Sequence, residues 1–431
     1  MEFRRALEAM LEHGASDLHV KVGSRPQIRV DGRLRMLDEP APSPKELEAI
    51  VEQVLSPAQK QELSKTREMD FAISVPGLAR FRANFYYQRG TPALVLRHVP
   101  LGVPAIEELN LPPTVEKLAL LPRGLVLVTG TVGSGKSTTL ASMIDAINRR
   151  LSKAIMTVED PIEFLHRDDK SMISQREVGI DTDTYLEALK HILRQDPDVI
   201  LIGEIRDRES MSIALMAADT GHLVLSTLHT VDATQTVNRI LSFYPPHQHS
   251  EIRFLLASTL QSVVSLRLVP RSGGKGRVPA CEILINTPTV KEYLMVQEKT
   301  HLIRSAIQEG ATQYGMQSFD QSLMRLYRGG LITYEEALRN STTPTEFELR
   351  VQGIHASSDT SWSGFEKEPE TAGDGAEATA EPAPAVAAPQ GGPGRAPAGP
   401  AARPGQPAIA PGAVDRLTKE TGKGPAGISR F

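Results

Sequence analysis

Residues 125 to 140 read LVLVTGTVGSGKSTTL, and their types and spacing suit the grip of a nucleoside triphosphate. An apolar run, Leu125 to Val128, stops at Gly130, and a glycine-rich loop follows. Lys136 and Ser137 then open a helix striped by Leu140, Met143, Ile144 and Ile147. This is the strand, loop and helix of a G-x-x-x-x-G-K-S phosphate loop. Gly133 and Gly135 carry no Cβ, so backbone N–H groups can converge on phosphate oxygens. The helix N-terminus adds roughly half a positive charge aimed at the same place. Lys136 is expected to reach the β- and γ-phosphates, and the Ser137 hydroxyl to bind Mg²⁺. The cradle comprises Gly130, Thr131, Gly133, Ser134, Gly135, Lys136, Ser137 and Thr138.

Acidic residues follow at strand ends. Ala154 to Val158 reads as a buried strand ending in Glu159-Asp160-Pro161-Ile162-Glu163. Ligands of parallel α/β sheets sit at the carboxyl ends of strands, so these carboxylates are expected to face the phosphates. A carboxylate there can orient and deprotonate an attacking water. Val199 to Ile202 ends in Gly203-Glu204, an apolar run plus acid of the Walker B kind. A generic Walker B strand places Asp before Glu. Here that place is Gly203, so Glu204 alone must carry the role, as a Mg²⁺ contact. A fourth strand, His222 to Thr227, precedes His229, which is placed to sense the γ-phosphate. His222, at the strand's start, suits packing or a subunit contact.

The elements that position these residues fall into blocks. Glu2 to His13 has one apolar face, and short alternating strands follow at 18–20, 28–30, 71–73, 80–87 and 93–99, interrupted by a helix near 44–55. Residues 1–98 are expected to form a small α+β domain, and 99–113 a proline-stiffened linker. From 114 to 286 strands alternate with helices, the signature of a parallel sheet, so the fold class is α/β. Residues 287–352 read as helical. From 356 to 431 the chain is rich in Ala, Pro and Gly, includes the sole tryptophan, Trp362, and is expected to be disordered.

Composition limits the functions on offer. The 431 residues carry a formal net charge of −4, which gives no reason to expect sequence-specific binding of nucleic acid. One cysteine, Cys281, excludes an internal disulfide and any cysteine-cluster zinc site, and its apolar surroundings suit a core residue. The N-terminus lacks a signal peptide's layout, and no apolar run approaches the ~18 residues of a membrane helix. A soluble, cytoplasmic chain that docks on a membrane through partners is the expectation.

The blocks GTVGSGKSTT, MTVEDPIEF, LRQDPDVILIGEIRD and TGHLVLSTLHT resemble the Walker A, Asp, Walker B and His boxes of the secretion ATPase superfamily, the hexameric motors of type II and type IV secretion and of type IV pili. Within it, ASDLHV, IRVDGRLR, FRANFYYQRG and GMQSFDQSLMRLYRGGLITYEEALRN look like the PilT/PilU retraction branch, with a match over about residues 1 to 345. The resemblance implies a RecA-like P-loop core behind a PAS-like N-terminal domain, and hydrolysis of ATP with Mg²⁺. It implies Glu163 as catalytic base, Glu204 and Ser137 at the metal, and Arg82 and Arg97 brought to the γ-phosphate by closure of the small domain. Both arginines lie on polar-alternating strands and equally fit surface ion pairs; Arg206, in GEIRD, is a further candidate. A homohexamer is implied, the small domain of one subunit packing on the motor domain of its neighbour. Peripheral association with the inner membrane at the pilus base is implied too, through a PilC-like platform protein, with a second retraction ATPase as a further candidate partner.

The chain departs from that branch in two places. Thr131 stands where proline usually follows the first glycine, and the motif AIRNLIRE is only loosely matched by residues 302–309. In the family that motif serves retraction rather than hydrolysis, which keeps an accessory, PilU-like reading open beside a motor of another secretion or DNA-uptake machine. The missing four-cysteine module speaks against a pilus-assembly or type II secretion ATPase.

Overall fold

A computed structural model describes residues 2–354 other than 31, 56, 100, 101 and 275, together with 361, 362, 364 and 365. Six strands, β1 (Asp17–Lys21), β2 (Ser24–Val30), β3 (Arg33–Met36), β4 (Glu68–Val75), β5 (Ala79–Gln88) and β6 (Thr91–Val99), make one antiparallel sheet in the order β3-β2-β1-β6-β5-β4. Strand alternation sorts its residues. Phe81, Ala83 and Phe85 of β5 are buried under the helices Phe3–Glu12 and Pro44–Val54, which contribute Ala6, Leu7, Met10, Leu47 and Val51. Ser43 and Glu46 form a capping box at the start of the second helix. The opposite face of the sheet is charged. Arg29, Asp17, Arg97 and Arg82 fall in one transverse row across β2, β1, β6 and β5.

The second sheet has the order β13-β12-β7-β11-β10-β8-β9, from β7 (Gly124–Gly130), β8 (Ala154–Glu159), β9 (Met172–Glu177), β10 (Val199–Ile202), β11 (Leu223–Leu228), β12 (Leu260–Pro270) and β13 (Arg277–Ile285). All neighbours are parallel except β12 and β13. Every residue of β7 is buried, because helices cover both faces of a parallel sheet. Leu125 and Leu127 point into one apolar cluster, Val126 and Val128 into the other. Cys281 lies wholly buried on β13, where burial pushes its thiol up to about 12 and leaves it an unionised packing group.

Two segments outside the sheets also pack against the fold. Within the proline-rich stretch between the sheets, Ile106 and Leu111 are buried against Leu140 and Ile144 of the helix Lys136–Arg150, and the Ser142 hydroxyl donates to the Pro104 carbonyl at 2.7 Å. It forms a strap across the helix that follows the phosphate loop. Trp362, assigned by composition to a disordered tail, is only 1 % exposed. It packs with Val269, Val278, Phe319 and Phe347 beneath the Arg350 guanidinium, and the Gln321 amide donates to the Ser361 carbonyl at 2.7 Å. One large aromatic ring can repay the ordering of a few residues that composition alone would leave loose. Apart from residues 361, 362, 364 and 365, the expected disordered segment lies outside the described residues. Among the described residues no helix is long and apolar enough to cross a membrane.

Candidate nucleotide site

The phosphate loop turns back at the end of β7 and cannot do so with ordinary residues. Gly130 has φ 146°, and a Cβ there would lie 2.4 Å from Ser134 Oγ and 2.7 Å from the Leu266 carbonyl oxygen. Gly133 and Gly135 adopt φ 75° and 97°. Lys136 Nζ donates to the carbonyls of Gly130 and Thr131, each at 3.0 Å, and lies 3.5 Å from His229 Nδ1. Burial holds this ammonium below the usual lysine range, while Glu204 and Glu163 pull the other way. Thr131 contributes a backbone acceptor that needs no particular side chain.

Beside the loop opens a cleft of about 250 Å³, lined by residues that include Lys136, Ser137, Glu163, Glu204 and His229. The ends of β7, β8, β10 and β11 meet here, as the strand pattern predicts. Glu204 is half-buried and held on both sides: Arg206 Nε donates to Oε2 at 2.8 Å, and His229 Nε2 lies 3.1 Å from Oε1. Glu159 is held by the Thr157 hydroxyl at 2.7 Å and the Gln175 amide at 3.2 Å, and burial pushes its carboxyl upward. Glu163 is exposed in the cleft, and its carboxylate makes no hydrogen bond to any described residue. Ser137 has no hydrogen-bond partner for its hydroxyl among the described residues.

Gly203 explains the missing Walker B aspartate. A Cβ at this position would sit 2.8 Å from the Tyr185 hydroxyl and 3.2 Å from the Val158 carbonyl oxygen. Tyr185 therefore occupies the space of that side chain, and burial raises its phenol above the usual range. No sequence pattern marks Tyr185, which opens a helix (Tyr185–Ile192) between β9 and β10. His166 also lines the cleft unmarked; burial holds its imidazole down at about 4, so it is neutral at neutral pH. A second cleft of about 210 Å³ lies on the other side of the loop, between Ser134, Thr138 and Thr139, the strap residues Leu109 and Leu111, and the β12–β13 hairpin with Arg271 and Arg277. That hairpin is contiguous only in three dimensions with the motif that announces the site.

Arg82 and Arg97 line neither cleft of their own chain. Arg97 Nε donates to Asp17 Oδ1 at 2.8 Å. Burial pushes the Asp17 carboxyl upward, and the Ser16 hydroxyl and Arg97 outweigh it, holding Asp17 below the usual range. Arg82 is exposed and has no ion pair among the described residues. His222 is remote from the cleft, with Nδ1 2.9 Å from the Ala217 carbonyl oxygen.

Behind His229, the helix Ala233–Ser242 starts on a buried acid. Glu282 Oε1 accepts from the Ala233 N–H at 2.8 Å. Burial pushes this carboxyl from its ordinary 4.5 up to about 7; Asp232 adds to the rise, while the Ala233 N–H, Arg267 and Arg304 oppose it. The folded chain keeps a proton that the unfolded chain releases above about pH 4.5, so stability falls as pH rises from 4.5 to 7. The full cost, on the order of 3 kcal/mol, is present above pH 7. Glu282→Gln keeps an acceptor for Ala233 and removes the ionisation, so its melting temperature should exceed wild type at pH 8 and approach it near pH 4. Equal melting curves at pH 8 would contradict this.

The seven-stranded sheet and the glycine loop at the end of β7 define a RecA-like P-loop fold. The family model of the type II/IV secretion system proteins matches residues 3–339, and the chain belongs to that family. It is 41 % identical to the type IV pilus ATPase PilU of Pseudomonas aeruginosa over 352 residues, 82 % of this chain and 92 % of that protein. It is 42 % identical to the type IV pilus retraction ATPase PilT of the same organism over 347 residues, 80 % of this chain and all of that protein. A crystal structure of the pilus retraction motor PilT with bound ADP superposes with a TM-score of 0.75 at 42 % identity, covering 81 % of this chain and 99 % of that one.

Proposed function

We propose that this chain is an ATP-hydrolysing motor for type IV pilus retraction, built as a homohexamer. The observation that carries the reading is the convergence of Lys136, Ser137, Glu163, Glu204 and His229 on one cleft, in a chain whose relatives are pilus ATPases. Phosphate oxygens replace the Gly130 and Thr131 carbonyls as acceptors for Lys136, gaining charge-assisted bonds in a partly dry site. The exposed Glu163 carboxylate has no partner to displace among the described residues, so it is placed to accept a proton from the attacking water. Glu204, Arg206 and His229 form a chain of contacts from that region to Lys136, which lets His229 register whether the terminal phosphate is present.

A Mg²⁺ ion fits oxygen donors such as the unpartnered Ser137 hydroxyl and the Glu204 carboxylate, and it would neutralise charge on the transferred phosphoryl group. The nucleobase is assigned to the second cleft, whose apolar walls suit an aromatic ring. Arg82, without an ion pair among the described residues and lining neither cleft of its own chain, acts on the triphosphate of a neighbouring subunit together with Arg97. Such an arginine is worth up to about 10³–10⁵ in rate. The domains are 1–98, the strap 99–113, and a motor of 114–286 with helical residues 287–352; closure of the first on the neighbouring motor supplies the stroke. The motor acts through a platform protein at the inner membrane and has no sequence-specific nucleic-acid partner.

The accessory reading draws on the loosely matched motif at residues 302–309. In the helix Ile303–Glu309, Gln308 stands where the branch carries arginine, and its amide donates to Glu346 Oε1 at 3.3 Å. A deletion strain tests the main proposal: surface pili should be retained or in excess, with twitching lost. Loss of pili themselves would overturn it, and normal twitching that fails only under load would favour the accessory role.

A further inference from the structure

The two sheets of one chain meet at a buried ion pair. Arg80, on the charged face of β5, reaches from Nη2 to Glu177 Oε2 at 2.9 Å, with the two side chains only 13 % and 6 % exposed. The same carboxylate oxygen accepts the Ile162 backbone N–H at 3.2 Å. Ile162 is itself buried, and it immediately precedes Glu163. Glu177 is fixed from behind as well, since its own N–H donates to Asp181 Oδ2 at 2.8 Å. A guanidinium of the small sheet, a carboxylate at the end of β9 and the backbone beside the exposed Glu163 thus share one oxygen.

The physics makes this junction responsive. A buried carboxylate that loses its cation is left uncompensated and must turn toward water or find another donor. If Glu177 turns, Ile162 N–H loses its acceptor in a buried place, and an unsatisfied donor there favours rearrangement of the backbone. Glu163 moves with it, and a displacement of about 1 Å can cost about 100-fold in a positioned reaction.

We propose that Arg80 and Glu177 are positioning residues for the Glu163 loop, so that the seating of the small domain on its own motor domain sets the reach of the base. This rests on the reading of Glu163 as the base. It also gives the small domain a second task, separate from any arginine it lends to a neighbour. Seated, it holds Glu163 in place; unseated, it releases it.

The full-length chain carrying Arg80→Gln, Glu177→Gln or both tests the link, with ATPase kinetics and hydrogen exchange of segment 160–164 as readouts. Arg80→Gln should lower kcat about tenfold or more with KM changed less than about twofold, and should speed exchange in that segment. Arg80→Lys should recover part of the loss, because it restores the charge. The double variant should lose no more than the worse single one, as expected of residues acting as a unit. Unchanged kcat and exchange, additive losses, or kcat and KM damaged alike would overturn the proposal. Faster exchange in Arg80→Gln alongside full turnover in Glu163→Gln would support the link and sink only the assignment of the base.

Discussion

Lys136→Ala should lose nucleotide affinity by about 100-fold or more, the largest single effect expected at this site. The ammonium is the only cation that sits inside the phosphate loop itself, and it already makes two hydrogen bonds to that loop's carbonyls. Charged hydrogen bonds contribute about 1.5–3 kcal/mol each, so losing two of them to phosphate corresponds to at least two decades in affinity. Burial works in the same direction, because a half-dry ammonium gains more from an anion than a solvated one does. Titration of the purified variant with a fluorescent ADP or ATP analogue measures the loss, and an unaltered melting curve separates it from unfolding. Wild-type affinity would refute the phosphate-binding role.

Glu163→Gln should abolish turnover while leaving nucleotide binding nearly intact. The substitution preserves size and hydrogen-bonding reach but removes the ability to take a proton, and positioned bases contribute about 10²–10⁴ in rate. Among the described acids of the cleft it alone has neither a hydrogen bond nor an ion pair to its carboxylate, since Asp160 lies 4.0 Å from Arg206. Glu159 Oε1 accepts from Thr157 and Gln175, and Glu204 is engaged by Arg206 and His229. Single-turnover assays on bound ATP read the chemical step directly. Turnover at the wild-type rate would transfer the role to another group, with Glu204 first in line.

Much of this site was legible from residue order alone. Gly130 to Thr138, the acids closing the strands at 154–158 and 199–202, and His229 lie where a parallel sheet gathers its carboxyl ends, and one apolar run per strand sufficed to place them. Packing hid the rest. β3, Arg33–Met36, alternates arginine with Leu34 and Met36, but it is only four residues long and exposed throughout; its pairing with β2 makes it a strand. The helix Pro57–Thr66 has hardly any apolar stripe. Tyr185 fills the volume vacated at Gly203, a relation between residues 18 apart that no local pattern encodes. Nothing in the strand at 80–87 singles out Arg80, because its partner Glu177 is 97 positions away. Trp362 shows the opposite failure: composition marked its segment as disordered, and a few well-seated apolar side chains outweighed it.

The place of Trp362 also gives the molecule its own optical gauge. It is the chain's sole indole, and it rests against Val269 and Val278, the roots of the hairpin whose tip carries Arg271 and Arg277. Its emission therefore reports on the C-terminal cap and the hairpin together, with no competing signal from the small sheet. A chain cut after Gly353 would go dark at that wavelength and leave those valines facing water.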